Sequence, residues 1–238
     1  MRASQTAPVI LACDTTQGAC SVALYQNNIL AAQLDEMTKG HAEALMPMLE
    51  RVLAEAAIDG AALSRLAVTH GPGTFTGVRV GLAAMRGLAL ALDLPLKTYG
   101  TLAVMAAAAH GVKNPDDPLW VAVDAKRDTF YGQAFDRQGA PLTAPAALSA
   151  AQLTALAQDM KAPQIALCGS GAALLSELWG GFYVLDTPPY PQAAFLVAMA
   201  AQDDEWLDLP AAEPLYLRPP DATLPDPDKR IKWQTTQH

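Results

Sequence analysis

Residues 70–81, HGPGTFTGVRVG, set four glycines, one proline and two threonines directly ahead of an apolar run. A strand that feeds such a loop into a helix leaves backbone N–H groups free at the positive end of the helix dipole, a favourable place for an anion such as phosphate. The spacing matches neither common nucleotide fingerprint. In Gly71-Pro72-Gly73-Thr74-Phe75-Thr76-Gly77 the last glycine falls one residue late for G-x-G-x-x-G, and no Gly-Lys-Ser/Thr follows as a P-loop requires. On spacing alone the loop reads as a sharp strand-to-helix turn, with Thr74 or Thr76 capping the helix. A second loop, Cys168-Gly169-Ser170-Gly171, is a weaker version of the same signal. Asp14 and Thr15 end an earlier apolar run, VILACD, and with Gly71, Gly73, Thr74, Thr76 and Gly77 they form a candidate degenerate nucleotide loop. The carboxylates of Asp14 and Asp124 are of the type that holds a hydrated Mg2+. Asp124 reads more simply as a capped strand end.

Other chemistries lack their parts. A metallopeptidase-like site needs two histidines one helical turn apart, so that both imidazoles share a metal, whereas His41, His70, His110 and His238 are scattered. Phosphoryl transfer needs a metal site, cations at the phosphates and a base near the nucleophile. Around the loop the sequence offers Asp14 and Arg79, and Arg79 falls on the outward side of its helix with Arg86 nearly in line. No serine sits in a G-x-S-x-G elbow. Cys13 and Cys168 lie at strand ends in apolar surroundings, where a thiol is buried and inert. The residues assign neither a catalytic set nor a metal site.

The elements that must position these residues follow from periodicity. VILACD and ACSVALYQNNILAAQLDE predict three strands, with a turn at Asn27-Asn28. LAVTH, LKTY, LWVAVD, DTFYGQAFD and QIALC predict further strands. Helical spacing of apolar residues predicts helices over 43–57, 77–92, 101–109, 150–160 and 192–201, with Pro47 tolerable in a first turn and Ser149 an N-cap. The order repeats: strand ending in aspartate, hairpin, helix, strand, glycine loop, helix occurs before the turn-rich GVKNPDDP and again after it. A duplicated α/β protein with a cleft between its halves is expected. The divisions are residues 1–110, 111–218 and a proline-rich flexible tail, 219–238, whose Lys229, Arg230, Lys232 and Trp233 form a basic-aromatic patch.

At 238 residues and 51% hydrophobic, the chain has ample material for the core of a soluble globular protein. Sixteen basic residues against 24 acidic ones, a net charge of -8, argue against a dominant nucleic-acid footprint, so RNA would be held by a partner. Three cysteines without C-x-x-C spacing suggest neither disulfides nor zinc and fit a reducing cytoplasm. The opening MRASQTAPVILACD meets Asp14 too early for a signal peptide, and no later run is expected to span a bilayer. One helix stands apart. VRVGLAAMRGLALAL, residues 78–92, is apolar on nearly all sides, broken mainly by Arg79 and Arg86, so something besides the sheet must cover it. Gly81, Ala84 and Gly87 would let another helix approach, and Met46 and Met48 of the preceding helix are adaptable contact residues.

DTTQGACSVAL, GPGTFTGVRVG and the closing EPLYLR together resemble the TsaB (YeaZ) family, paralogues of the TsaD proteins within the actin, Hsp70 and sugar-kinase (ASKHA) fold. The resemblance extends over residues 8–218 and implies an α/β fold of two lobes, each with a mixed sheet flanked by helices. It implies a cytoplasmic, non-catalytic subunit that binds and activates TsaD in forming N6-threonylcarbamoyladenosine on tRNA beside the anticodon, in a pathway shared with TsaC. The expected assembly is a heterodimer with a TsaD-like paralogue, joined by a TsaE-like ATPase, with tRNA held mainly by the partners and a homodimer in isolation. Docking through helices of the first lobe assigns the partner interface to Leu45, Met46, Leu49, Val78, Leu82, Met85 and Arg86. No cofactor is expected to bind this chain tightly, while the complex leaves room for ATP and Mg2+. The alternative is an ATP-binding enzyme of the same fold, a kinase or a glycoprotease-like metallopeptidase.

Overall fold

A computed structural model describes residues 7–112, 116–207 and 209–218 of the chain. Strands β1 (Ile10–Asp14), β2 (Ala19–Gln26) and β3 (Asn28–Glu36) form an antiparallel meander that turns at Asn27, whose φ of 65° is a left-handed conformation asparagine tolerates. β4 (Arg65–Thr69) pairs parallel with β1, and β5 (Leu96–Tyr99) parallel with β4, giving the order β3-β2-β1-β4-β5. Every residue of β1 is buried, as a central strand covered on both faces requires. Helix α1 (His41–Glu55) precedes β4, α2 (Phe75–Leu92) follows it, and α3 (Thr101–His110) follows β5.

The same succession then recurs as β6 (Leu119–Asp124), β7 (Thr129–Phe135), β8 (Ala146–Ser149), α4 (Ala150–Asp159), β9 (Ile165–Cys168), α5 (Ala172–Ser176), β10 (Phe182–Val184) and α6 (Ala193–Ala201). The second sheet, β10-β9-β6-β7-β8, has the order of the first read from its other edge. The protein is thus the duplicated α/β fold expected, with two mixed five-stranded sheets flanked by helices. Strands β8 and β10 escape the sequence reading. They are short edge strands, and β8 reads AALS, where alanine replaces the β-branched residues that mark a strand.

The helices are not distributed by repeat. One face of the first sheet carries α1 and α2, with Met48, Val52 and their neighbours in a common core. Its other face, with Ile10, Ala12 and Ala67, is covered by Leu196, Val197 and Ala200 of α6, the last helix of the second repeat. Reciprocally, α3 of the first repeat lays Leu102, Met105 and Ala109 on the second sheet, whose far face is closed by α4 and α5. The two exchanged helices meet each other between the sheets.

Local signals explain the helix starts. Ser149 caps α4 in a full capping box with Gln152, as anticipated. Thr74 is the N-cap of α2 and accepts from the Gly77 N–H at 3.1 Å, so the helix begins at Phe75, two residues before the periodic pattern does. Helix α1 begins at His41, which places Pro47 in its second turn rather than its first. Pro47 is exposed, so the carbonyl left without a donor, that of Glu43, lies on the solvent side. Helix α2 corrects another expectation, being long and apolar enough by length and composition alone to cross a membrane. In this fold its Val78, Leu82 and Met85 pack against the first sheet. Residues 219–238, the expected tail, lie outside the described residues.

Candidate functional site

β1 and β4 are parallel neighbours, so the turn after Asp14 and the glycine loop after Thr69 emerge side by side at the same end of the sheet. Asp14 is fully buried. Its Oδ1 accepts from the Thr16 amide at 3.1 Å, and its Oδ2 accepts from the Thr16 hydroxyl at 2.8 Å and from the Thr69 hydroxyl. Every donor is neutral. Burial therefore pushes the Asp14 carboxyl up to about 6, against the opposing pull of these hydrogen bonds.

The two loops are stitched to each other. The Thr15 hydroxyl donates to the Gly77 carbonyl at 2.7 Å, and the Thr74 amide donates to the Thr16 carbonyl at 2.8 Å. A Cβ on Gly73 would stand 2.4 Å from the Thr16 carbonyl oxygen, and one on Gly77 would stand 2.0 Å from that of Thr15. Both glycines are thus required by the close approach of the chain's own backbone. Gly71 has a φ of 111° and runs against Leu215, while Thr76 is exposed on the first turn of α2. The sequence-predicted loop residues are brought together, with the Thr15 and Thr16 backbone packed directly against Gly77 and Gly73.

The second repeat builds the same turn with different contents. Asp124 ends β6, its Oδ1 accepting from the Lys126 amide at 2.8 Å and its Oδ2 from Lys126 Nζ at 2.7 Å. The hydrogen bonds and charge of Lys126 hold this carboxyl below its ordinary value. By accepting from the Lys126 amide the Asp124 side chain caps its strand end, as expected, and its own amide donates to Ser170 Oγ at 3.0 Å. Lys126, Arg127 and Asp128 follow in left-handed conformation, with φ of 64°, 55° and 54°. Such a run of non-glycine residues is costly and needs support from its surroundings.

Between the halves lies a cavity of about 460 Å³, within the size range of small-molecule sites. Gly73, Thr74 and Phe75 line it from the first half, Asp124, Lys126 and Ser170 from the second, and residues 215–218 along its rim. Phe75 stacks on Tyr216 with ring centres 5.3 Å apart, and the Arg79 guanidinium lies 3.4 Å from the Phe75 ring centre. This aromatic-arginine stack is absent from the sequence-predicted set. Its signal was available in the i, i+4 spacing of Phe75 and Arg79, but Tyr216 reaches them only through the tertiary fold.

The remaining candidates fall into structural places. His70 Nδ1 lies 3.2 Å from the Glu213 carbonyl, and burial lowers its pKa, which makes it a loop histidine. His41 meets the Gln17 carbonyl at 3.0 Å. All three thiols are buried, and desolvation pushes Cys20 up to about 11 and Cys168 up to about 12. The expected partner interface needs correction: Leu45, Leu49, Val78, Leu82 and Met85 all point into the core between α1, α2 and the sheet. A helix apolar all round does not reveal from sequence which stripe meets its sheet. Of that set Met46 and Arg86 are exposed, and Arg86 donates to the Ala212 carbonyl. Gly81 also faces inward, toward Thr15, whereas Gly87 faces open space. The outward stripe of α2 is instead Phe75, Arg79, Ala83, Arg86 and Leu90.

Residues 29–181 match the family model described as TsaD, tRNA N6-adenosine threonylcarbamoyltransferase. The chain is similar to the tRNA threonylcarbamoyladenosine biosynthesis protein TsaB of Escherichia coli (strain K12), 35% identical over 54% of this chain and 55% of that protein. The matched stretch thus spans about half the length of the curated TsaB relatives. An uncharacterized protein of Mycobacterium tuberculosis (strain H37Rv) is 33% identical over 90% of this chain and 93% of its own. Among solved structures, a Pseudomonas aeruginosa protein described as similar to peptidase YEAZ superposes with a TM-score of 0.78 at 30% identity, covering 89% of this chain and all of its own. With the two-sheet fold, the glycine loop closed on the Asp14 turn and these relatives agreeing, the chain belongs to the TsaB (YeaZ) family, paralogous to TsaD.

Proposed function

We propose that this chain is a non-catalytic cytoplasmic subunit that binds and activates a TsaD-type paralogue in the formation of N6-threonylcarbamoyladenosine on tRNA. The observation that carries this reading is the outer side of α2. Phe75, Ala83, Leu90 and Leu92 stand exposed there, Leu90 at 87%. Apolar surface of this extent on a helix that already fills its place on a sheet calls for a protein partner. The relatives, biosynthesis proteins for tRNA threonylcarbamoyladenosine, supply the pathway. The glycine loop then serves to seat α2: its glycines admit the Thr15-Thr16 backbone, and its threonine caps the helix. Under this reading ATP and Mg2+ belong to the complex, a TsaE-like ATPase joins it, and partners hold the tRNA. A homodimer formed by the free chain would use the same face.

Calorimetric titration against the TsaD-type paralogue tests the interface. Because Ala83 and Leu90 are exposed, Ala83→Glu and Leu90→Glu should leave folding intact and weaken association by about 30-fold or more. Unchanged affinity in both variants would sink the proposed face. The cavity between the halves favours a second reading, an ATP-binding enzyme of the same fold. Micromolar Mg-ATP binding by the isolated chain, abolished by Lys126→Ala, would establish that reading instead.

A further inference from the structure

Residues 212–218 lack helix and strand, yet they are fastened at both ends. Along α2, Phe75, Arg79 and Arg86 lie within about 40° of one another at 100° per residue, and all three hold this segment. Arg86 donates to the Ala212 carbonyl, and Arg79 lies 3.4 Å from the Phe75 ring centre and 5.6 Å from that of Tyr216. The Leu215 amide donates to the His70 carbonyl at 2.7 Å. Across the cleft, Arg218 Nη1 donates to the carbonyls of Ala125 at 3.0 Å and Lys126 at 3.4 Å. Those carbonyls belong to the turn whose next residues are left-handed.

We infer that residues 212–218 form a strap that couples the outer face of α2 to the Ala125–Thr129 turn of the other half, so that a protein seated on α2 biases the cleft between the halves. The coupling has a physical route. Left-handed residues without glycine are strained, so the turn leans on the charged donor that satisfies the Ala125 carbonyl and reinforces that of Lys126. Arg218 follows Tyr216 by two residues in the same segment, and Tyr216 is held by its stack on Phe75 and its contact with Arg79. Phe75, Arg79 and Arg86 also flank the exposed Ala83 and Leu90, so the strap borders the surface a partner would cover. Anything that orders one end must favour order at the other, because coupling between two sites is reciprocal.

Hydrogen exchange on the full chain tests the strap without a partner. The reporters are the Ala125 amide, which donates to Thr129, and the Thr129 amide, which donates to Lys126. Arg79→Ala, made on α2, should speed exchange at both reporters by about 3-fold or more, and Arg79→Lys should do so partially because it keeps the charge without the planar stack. Arg218→Ala should loosen the same amides and also Gly77 in the first turn of α2. Exchange at the turn that responds to Arg218→Ala but not to Arg79→Ala would overturn the inference, leaving two local contacts with no transmission. The partner arm rests on the docking reading. Added TsaD-type paralogue should slow exchange at α2 and at the turn in the natural chain, but only at α2 in Arg218→Ala. No protection of α2 in the natural chain would count against the docking reading, whereas protection of α2 without the turn would count against the strap.

Discussion

The two aspartate turns occupy equivalent places in the two repeats and have opposite electrostatic characters. Each ends the central strand of its sheet, accepts from the amide two residues on, and faces a glycine loop from the neighbouring parallel strand. In the first half the carboxylate is sealed among threonine hydroxyls, and the loop glycines press onto backbone. In the second it reaches a lysine at the cleft; Gly169 presses onto the Ala122 carbonyl, much as in the first loop, but Gly171 presses mainly onto the Phe130 ring. The difference shows one duplicated motif serving two ends: the first copy fixes the root of α2, and the second lines an open cavity. Topology alone does not separate these roles, but the partners of the carboxylates do.

The comparison is broken most forcefully at the glycines. Gly77→Ala drives a Cβ to 2.0 Å from a backbone carbonyl that cannot move without β1, and should cost about 3 kcal/mol or more in urea unfolding. Gly171→Ala has an ordinary φ of -92° and meets the buried Phe130 ring at 2.5 Å, a side chain that can shift where backbone cannot, so it should cost less, about 1–2 kcal/mol. Equal losses would mean that the second loop is as rigidly keyed as the first.

A weaker but more diagnostic contrast lies in pH. The folded-state value of Asp14, about 6, stands above its ordinary 3.8, so between these limits the folded chain keeps a proton that the unfolded chain has released. Stability should therefore fall as pH rises from 4 to 6, by about 3 kcal/mol at most, and Asp14→Asn should remove that slope. Asp124 has the opposite sign. Its lowered value adds stability above the ordinary carboxylate range, lost only as acid protonates it, so Asp124→Asn should flatten the most acidic limb alone. Unfolding curves from pH 3 to 7 would show both, and a natural chain with no slope between 4 and 6 would refute the sealed-carboxylate account. The smallest effect belongs to Lys126→Ala, whose exposed pair should change stability by less than about 0.5 kcal/mol at neutral pH.

Much of this was legible in the residues. The repeat of strand, aspartate, hairpin and glycine loop announced the duplication, because hydrophobic period and turn chemistry change at fixed points in both halves. Thr74 and Ser149 declared their helix starts by type. The orientation of α2 was not legible: with apolar residues on nearly every side, Leu82 and Met85 looked as available as Ala83 and Leu90, and only the sheet decides which stripe is covered. The stack on Tyr216 was hidden for another reason, since it joins residues more than a hundred positions apart. EPLYLR marked the family in the sequence but gave no hint that its tyrosine and arginine face different halves.

The exchanged helices have a consequence for how the chain folds. In effect the molecule is a domain-swapped pair held on one polypeptide, each sheet lacking a cover until the other repeat lends its last helix. The first sheet, whose strands are complete by Tyr99, has only Val104 of α3 beside Ile10, Ala12 and Ala67 until Leu196 and Ala200 have been made. A ribosome-bound first repeat would therefore leave much of an apolar sheet face uncovered through about two-fifths of synthesis, the situation in which long-range closure is slow and chaperones are most useful.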